Sequence, residues 1–379
     1  MSNLQTVLDQ ATAAQDVPFV VAMTANSGGV TFSGAAGNAR AGLTASEETA
    51  FRIFSMTKAV GSVAAMILID RGKISMDTPV ADVLPAWNDL GVLDGFDGDE
   101  PILRAPRTQA TLRHLATHTS GMEYEFWNPD VPRYMELTGH PTVLSGLKSS
   151  LMYPLTTDPG TRWGYGPSID WLGQVVEAVD GRQIDAFCQQ EILDPLGMGE
   201  TAFEPDALSD RLCDVALRGE DGTFAPFDLA PPANPEFYGM GHALYSTAPD
   251  YLRFLRMVLN RGQLDGNRIL SEDAFDAMTA DQMNGLTFQP MQSVAPPVSA
   301  DVDMPEGTTH SFAFLRTETD IPGMRSAGSL SWAGVCNTHY WIDPTRDLAA
   351  VIMTQSLPFL EPRFLKTYQA YEQAVYAGL

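Results

Sequence analysis

Ala59-Val60-Gly61-Ser62-Val63-Ala64-Ala65-Met66-Ile67-Leu68-Ile69 carries no charge, and its one polar side chain is a serine hydroxyl. A helix through such a run has no face to offer water. It must lie inside the molecule, with other elements packed around it. The spacing predicts a helix over 56–70, stopped by Arg71-Gly72, since glycine suits a helix C-terminus. Ser55 and Lys58 stand at its head. Positions i and i+3 share a helix face, so the hydroxyl and the amine can meet. They do so where free backbone N–H groups and the positive end of the dipole point outward.

That pairing suits nucleophilic catalysis. A serine hydroxyl is a weak nucleophile until a base takes its proton. A lysine in an apolar, electropositive pocket binds its own proton less tightly and can be that base. The plainer reading is a helix-capping serine with an ordinary lysine one turn on. S-x-x-K by itself is a weak signal, and the chain holds a second copy, Ser145-Gly146-Leu147-Lys148. Context favours the first copy, because Lys58 is one of four lysines and adjoins the most apolar helix.

The remaining bounds narrow the function. A chain of 379 residues can bury a large core and form two domains, or one with a sizeable insertion. With 23 basic and 47 acidic residues the net charge is −24, which argues against nucleic acid and anionic membrane as partners. Three dispersed cysteines suit neither a disulfide framework nor a metal site. The N-terminal stretch has no basic region followed by an apolar core, and no run reaches membrane-span length, so a cytoplasmic protein is expected.

Taken in order, residues 3–15 read as an amphipathic helix. Strands follow at 17–24 and 30–34, joined by Asn26-Ser27-Gly28-Gly29. Residues 111–121 read as a helix closed by Gly121. His114 and His118 are four apart on it, but no acidic pattern completes a metal site. Residues 128–153, with Pro132, Pro141 and Pro154 among their short helices, have the character of an inserted cap able to wall a pocket. Tyr165 lies on a Gly-Pro loop before a helix at 169–179, where its hydroxyl can enter a cleft; a core tyrosine is the bland alternative. His242 reads as structural. Residues 239–247 have strand character, followed by a helix at 248–259. Short strands are expected at 311–315, 335–342 and 348–354, with a last helix at 362–377. The expected fold is α/β of the α+β kind, an antiparallel sheet flanked by helices. Residues 1–80 and 236–379 would build the sheet domain, and 81–235 a mainly helical insertion.

Several ordered stretches resemble the serine hydrolase superfamily of class C β-lactamases and penicillin-binding proteins. Ser55-Met56-Thr57-Lys58 is similar to its S-x-x-K motif, and Leu115-Ala116-Thr117-His118-Thr119-Ser120-Gly121 to its L-x-T-H-T-S-G segment. Pro195-Leu196-Gly197-Met198 and residues 245–251 fit in order. Two departures carry function. The Y-x-N motif is Tyr165-Gly166-Pro167 here, without the asparagine. The K-T-G strand is Trp332-Ala333-Gly334, and tryptophan cannot hold a substrate carboxylate as lysine does. The pattern is closer to family VIII carboxylesterases, and residues 165–171 are similar to fungal acyltransferases acting on statin precursors.

The resemblance implies a two-step acyl transfer on small carboxylic esters with no cofactor and no metal. Ser55 attacks, Lys58 takes its proton, and Tyr165 passes protons to the leaving alcohol and from the next nucleophile. Lys58 and Tyr165 remain alternative main bases. The backbone N–H of Ser55 and one on the Gly334-Val335 strand edge are the expected oxyanion donors, and Trp332 is expected beside the substrate. Trp163, Trp171 and Trp332 suggest an aromatic cleft with room for an alcohol. Rival readings are an amide hydrolase on the same machinery and a penicillin-binding sensor without turnover.

Overall fold

The computed structural model describes residues 3–379. Its centre is an eight-stranded antiparallel sheet. The strands are β1 (Phe19–Asn26), β2 (Gly29–Arg40), β3 (Leu43–Thr44), β4 (Thr308–His310), β5 (Leu315–Thr317), β6 (Leu330–Gly334), β7 (Thr338–Asp343) and β8 (Leu348–Met353). Their order across the sheet is β4-β5-β6-β7-β8-β1-β2-β3. The two ends of the chain join where β1 pairs with β8, Val21 opposite Met353.

Alternation along the strands gives each face its own core. Val20, Ala22, Ala350 and Ile352 meet Leu8 of the helix α1 (Asn3–Ala13) and Phe364 and Tyr371 of the C-terminal helix. Phe19, Val21, Met23, Val351 and Met353 face the opposite way, into the main core. That core contains α2 (Thr57–Asp70), α3 (Ser168–Asp180) and α4 (Ala248–Leu259). Every residue of α2 from Thr57 to Leu68 is buried, which is how a helix without a polar face is satisfied. Burying one such aliphatic side chain fully contributes about 1.5–3 kcal/mol.

Some elements differ from the sequence reading. The helix expected over 111–121 covers only Leu112–Ala116, because His118 takes a left-handed φ of 57° and Gly121 one of 95°. The strand expected at 311–315 is a turn between β4 and β5. There Ser311 Oγ accepts from the N–H groups of Ala313 and Phe314. The strand expected at 335–342 is found from 338 onward as β7, while residues 335–337 form the turn that leads into it from β6, with Asn337 at φ 60°. Of the strand-like stretch at 239–247, only Tyr245–Thr247 is extended in a sheet. The segment 81–235 contains helices together with two hairpins, Val92–Asp97 with Glu100–Arg104 and Val215–Arg218 with Phe224–Phe227. The second is joined to the main lobe by Ser356–Leu357, parallel to Ala216 and Leu217.

Candidate active site

Ser55 does not sit on α2 itself. It lies in a one-turn 3-10 helix, Phe54–Met56, that leads into α2. Phe54 takes a φ of 41°, an uncommon conformation for a side chain of that bulk. Its ring is held by Val215, Cys336 and Leu357, which maintain the turn. Ser55 is the partly exposed residue in a buried stretch.

Lys58 Nζ has three hydrogen-bond partners. It reaches Ser55 Oγ at 3.1 Å, Tyr124 Oη at 3.0 Å and Gly241 O at 2.9 Å. The carbonyl can only accept. A neutral lysine that spends one N–H on Gly241 and one on Tyr124 therefore aims its lone pair at the Ser55 hydroxyl. Tyr124 is buried, and its pKa is pushed well above the ordinary tyrosine value by burial first and by the charge of Asp170 second. It is a neutral phenol at physiological pH, so it partners the lysine rather than serving as the base.

Tyr165 stands beside the same lysine, with its ring centroid 4.9 Å from Nζ. Its hydroxyl accepts from Trp332 Nε1 at 3.3 Å. The Tyr165 loop is laced to the segment after His118. Gly164 N–H donates to His118 O, and Tyr124 N–H donates to Tyr165 O. Ser120 and Ser168 hydroxyls meet at 2.7 Å. Behind Tyr165 and Trp332 lie two buried histidines. His118 stacks on Trp332 at 6.1 Å and meets Tyr165 edge-on at 4.8 Å. Burial pushes His310 down to about 4 and His118 well below its ordinary value, the latter also through His310 and Lys58. Both rings are neutral at pH 7 and pack as aromatic groups. His114 has a separate duty, since its Nδ1 accepts the Thr111 N–H at the start of its short helix.

Trp332 lies on β6, opposite Tyr340. The strand ends at Gly334, so close to the Ser55 turn that a Cβ there would collide with Ile53 O. That contact brings the Gly334-Val335 edge beside Ser55. Outward from Tyr165 runs a cleft of about 200 Å³, walled by Trp127, Trp163, Tyr165 and Met291 and rimmed by Glu123 and Arg162. Arg162 pairs with Glu123, which also accepts from Asn128. Trp163 lies parallel to Tyr165, and Phe288 backs it edge-on at 4.7 Å.

A sequence model of the β-lactamase family matches residues 4–375. The chain belongs to the β-lactamase family. It is 30% identical over 352 residues to the monacolin J acid methylbutanoyltransferase of Aspergillus terreus, covering 87% of this chain and 82% of that one. It is 28% identical over 319 residues to the lovastatin esterase of Penicillium rubens, covering 80% and 78%. A mutant simvastatin synthase from Aspergillus terreus superposes with a TM-score of 0.85 at 25% identity, over 99% of this chain and 94% of the other.

The fold and family expected from the motifs are thus the ones found. Within this β-lactamase-family site, Ser55, Lys58, Tyr165 and Trp332 come together, and Tyr124 joins them without a signal in the motif reading. Tyr124 follows the T-S-G turn by three residues in the aromatic run Tyr124-Glu125-Phe126-Trp127. That run was the available clue. Trp127, on the cleft wall, belongs to it as well. Trp171 is not a cleft residue. It is buried edge-on against Trp87 at 5.0 Å and donates to Leu151 O, as a helix-face tryptophan in a core does. The second S-x-x-K copy is no site, because Gly146 turns left-handed between its members and Lys148 is exposed. Among the described residues no helix is long and apolar enough to cross a membrane.

Proposed function

We propose that the protein is a serine carboxylesterase that forms an acyl-enzyme on Ser55 and delivers the acyl group to water or to an alcohol. The observation that carries this reading is the coordination of Lys58 Nζ by Ser55, Tyr124 and Gly241. In the first step Ser55 Oγ attacks the ester carbonyl and its proton passes to Lys58. The oxyanion is assigned to the N–H groups of Ser55 and Val335, at about 3–4 kcal/mol per donor. Tyr165 gives its proton to the leaving alkoxide and is reprotonated from Lys58. Its developing negative charge is stabilised by the Trp332 N–H. In the second step the same groups deprotonate water or an alcohol, and the acyl group leaves Ser55. The roles of Ser55, Lys58 and Tyr165, and of the Gly334-Val335 edge, belong to this proposal.

Ester substrates without a carboxylate follow from the charge in the cleft. Trp332 supplies no cation, and the one basic group on the wall, Arg162, is paired with Glu123. A β-lactam whose carboxylate finds no charge-assisted partner loses about 1.5–3 kcal/mol, or roughly 10–10²-fold in kcat/KM. Nitrocefin is therefore expected to turn over poorly beside p-nitrophenyl esters. A nitrocefin kcat/KM equal to that of the best ester sinks the esterase reading in favour of a lactamase.

Transfer to alcohols is supported by the aromatic wall, which binds a carbon skeleton better than it orders water. The relatives named as a methylbutanoyltransferase and an esterase represent the two fates of an acyl-enzyme. Rising concentrations of a short alcohol are expected to give transester product by chromatography, with faster p-nitrophenol release where deacylation limits the rate. Free acid as the only product, with the alcohol merely inhibiting, removes the acceptor half of the proposal.

A further inference from the structure

We infer that Asp170 is a positioning residue for Lys58, acting through the backbone of Gly241. The inference rests on the acyl-enzyme reading above and adds a member to its machinery. Asp170 is the third residue of α3, and its side chain is 1% exposed. Its Oδ1 accepts the Gly241 N–H at 2.6 Å. The carbonyl of the same Gly241 accepts from Lys58 Nζ at 2.9 Å. One residue thus holds the carboxylate on one side and the catalytic lysine on the other. Asp170 fixes where Gly241 lies, and Gly241 fixes which way the lysine turns its lone pair.

The turn that carries Gly241 has no slack. The N–H groups of His242 and Ala243 both donate to Gly239 O, and Leu244 N–H donates to Thr57 Oγ1 on α2. A Cβ at Gly241 would lie 2.9 Å from Asp170 Oδ1, 3.1 Å from Tyr124 Oη and 3.3 Å from Lys58 Nζ. Only glycine lets the three groups converge there.

A buried carboxylate is expensive unless it is paired or hydrogen-bonded. The groups facing this one are Lys58, Tyr124 and His242. His242 Nδ1 is 4.0 Å from Asp170 Oδ2, but burial lowers the histidine below its ordinary value, so it is neutral near pH 7. The charge that can answer Asp170 is the ammonium formed when Lys58 takes the serine proton. The carboxylate therefore favours the protonated lysine that attack on the ester creates. The same charge disfavours a Tyr124 phenolate. Asp170 touches neither the cleft nor Ser55, so it acts on proton transfer and leaves substrate binding alone.

The test is steady-state kinetics on p-nitrophenyl acetate with folding checked by circular dichroism. Asp170→Asn keeps the shape and an acceptor for Gly241 N–H but removes the charge. We expect kcat to fall about 10-fold at unchanged KM, and the acid limb of the kcat/KM pH profile to move to lower pH, because the ammonium formed on attack no longer faces a buried negative charge. Asp170→Ala also loses the acceptor and is expected to cost about 10²-fold in kcat, as a small displacement of a catalytic group does. Gly241→Ala displaces the lysine while keeping the charge, so its kcat falls with the acid limb in place. It serves where an Asp170 variant does not fold. A folded Asp170→Asn with the wild-type kcat and pH profile, a loss confined to KM, or a Gly241→Ala enzyme with wild-type kcat overturns the inference. Failure of the underlying reading looks different: wild-type protein then takes no fluorophosphonate label on Ser55, and both claims fall.

Discussion

Ser55→Ala is expected to lower kcat for p-nitrophenyl acetate by about 10⁴-fold or more, because loss of the nucleophile removes the covalent route and leaves only binding and oxyanion stabilisation. The fold should survive. Ser55 is partly exposed in its turn, and Lys58 keeps Tyr124 and Gly241 as partners. Thermal unfolding of the variant should therefore stay near that of the wild type. Mass spectrometry of the wild type with a slow ester should find the acyl group on the peptide containing Ser55. The competing serine is Ser145 of the second S-x-x-K copy. Its Oγ accepts the Leu147 N–H, and Lys148 offers its own N–H to Glu236 at the surface. An adduct on Ser145, or full activity in Ser55→Ala, defeats the assignment.

The parts of the site that could be read from sequence are those whose chemistry is local. Ser55 and Lys58 are one helical step apart, and an apolar helix behind them is a local pattern. Tyr165 announces itself by Gly-Pro neighbours before a helix. The sheet was legible where strands alternate or run apolar, as in β1 and β8. It was misread around Ser311 and Asn337, where a side-chain-stabilised turn and a left-handed residue break a continuous-looking stretch. The helix over 111–121 failed for the same reason at His118. Tyr124 and Asp170 could not be found locally. Lys58 is met by Tyr124 from 66 residues away in sequence and by Gly241 from 183 residues away. No spacing rule links positions so far apart, and only the packing of the Tyr124 and Gly241 loops on α2 makes them neighbours. Trp171 illustrates the converse. Its nearness to Tyr165 in sequence suggested the cleft, yet the helix turns it toward Trp87 and the core.

The two tyrosines should separate when each loses only its hydroxyl. Tyr165 borders the cleft, and its Oη is held by Trp332 rather than by the lysine. A substrate's leaving oxygen arrives from that side. Tyr165→Phe therefore removes the proton donor to the leaving group and is expected to cost about 10²–10⁴-fold in kcat. The loss should shrink with esters of acidic phenols, which leave without a proton, and grow with alkyl esters, which do not. Tyr124→Phe removes a partner of Lys58 that substrate never meets. Its cost should be smaller, about 10-fold, the same for phenyl and alkyl esters, and accompanied by a shifted acid limb, because the lysine loses one acceptor for its ammonium form. Lys58→Ala should exceed either, since it removes the base and the group that returns the proton to Tyr165. The measurement is a leaving-group series from p-nitrophenyl to ethyl acetate with each variant. If Tyr124→Phe shows the leaving-group dependence and Tyr165→Phe shows none, the proton to the leaving alcohol comes from Tyr124. Tyr165 then serves only as a wall of the cleft.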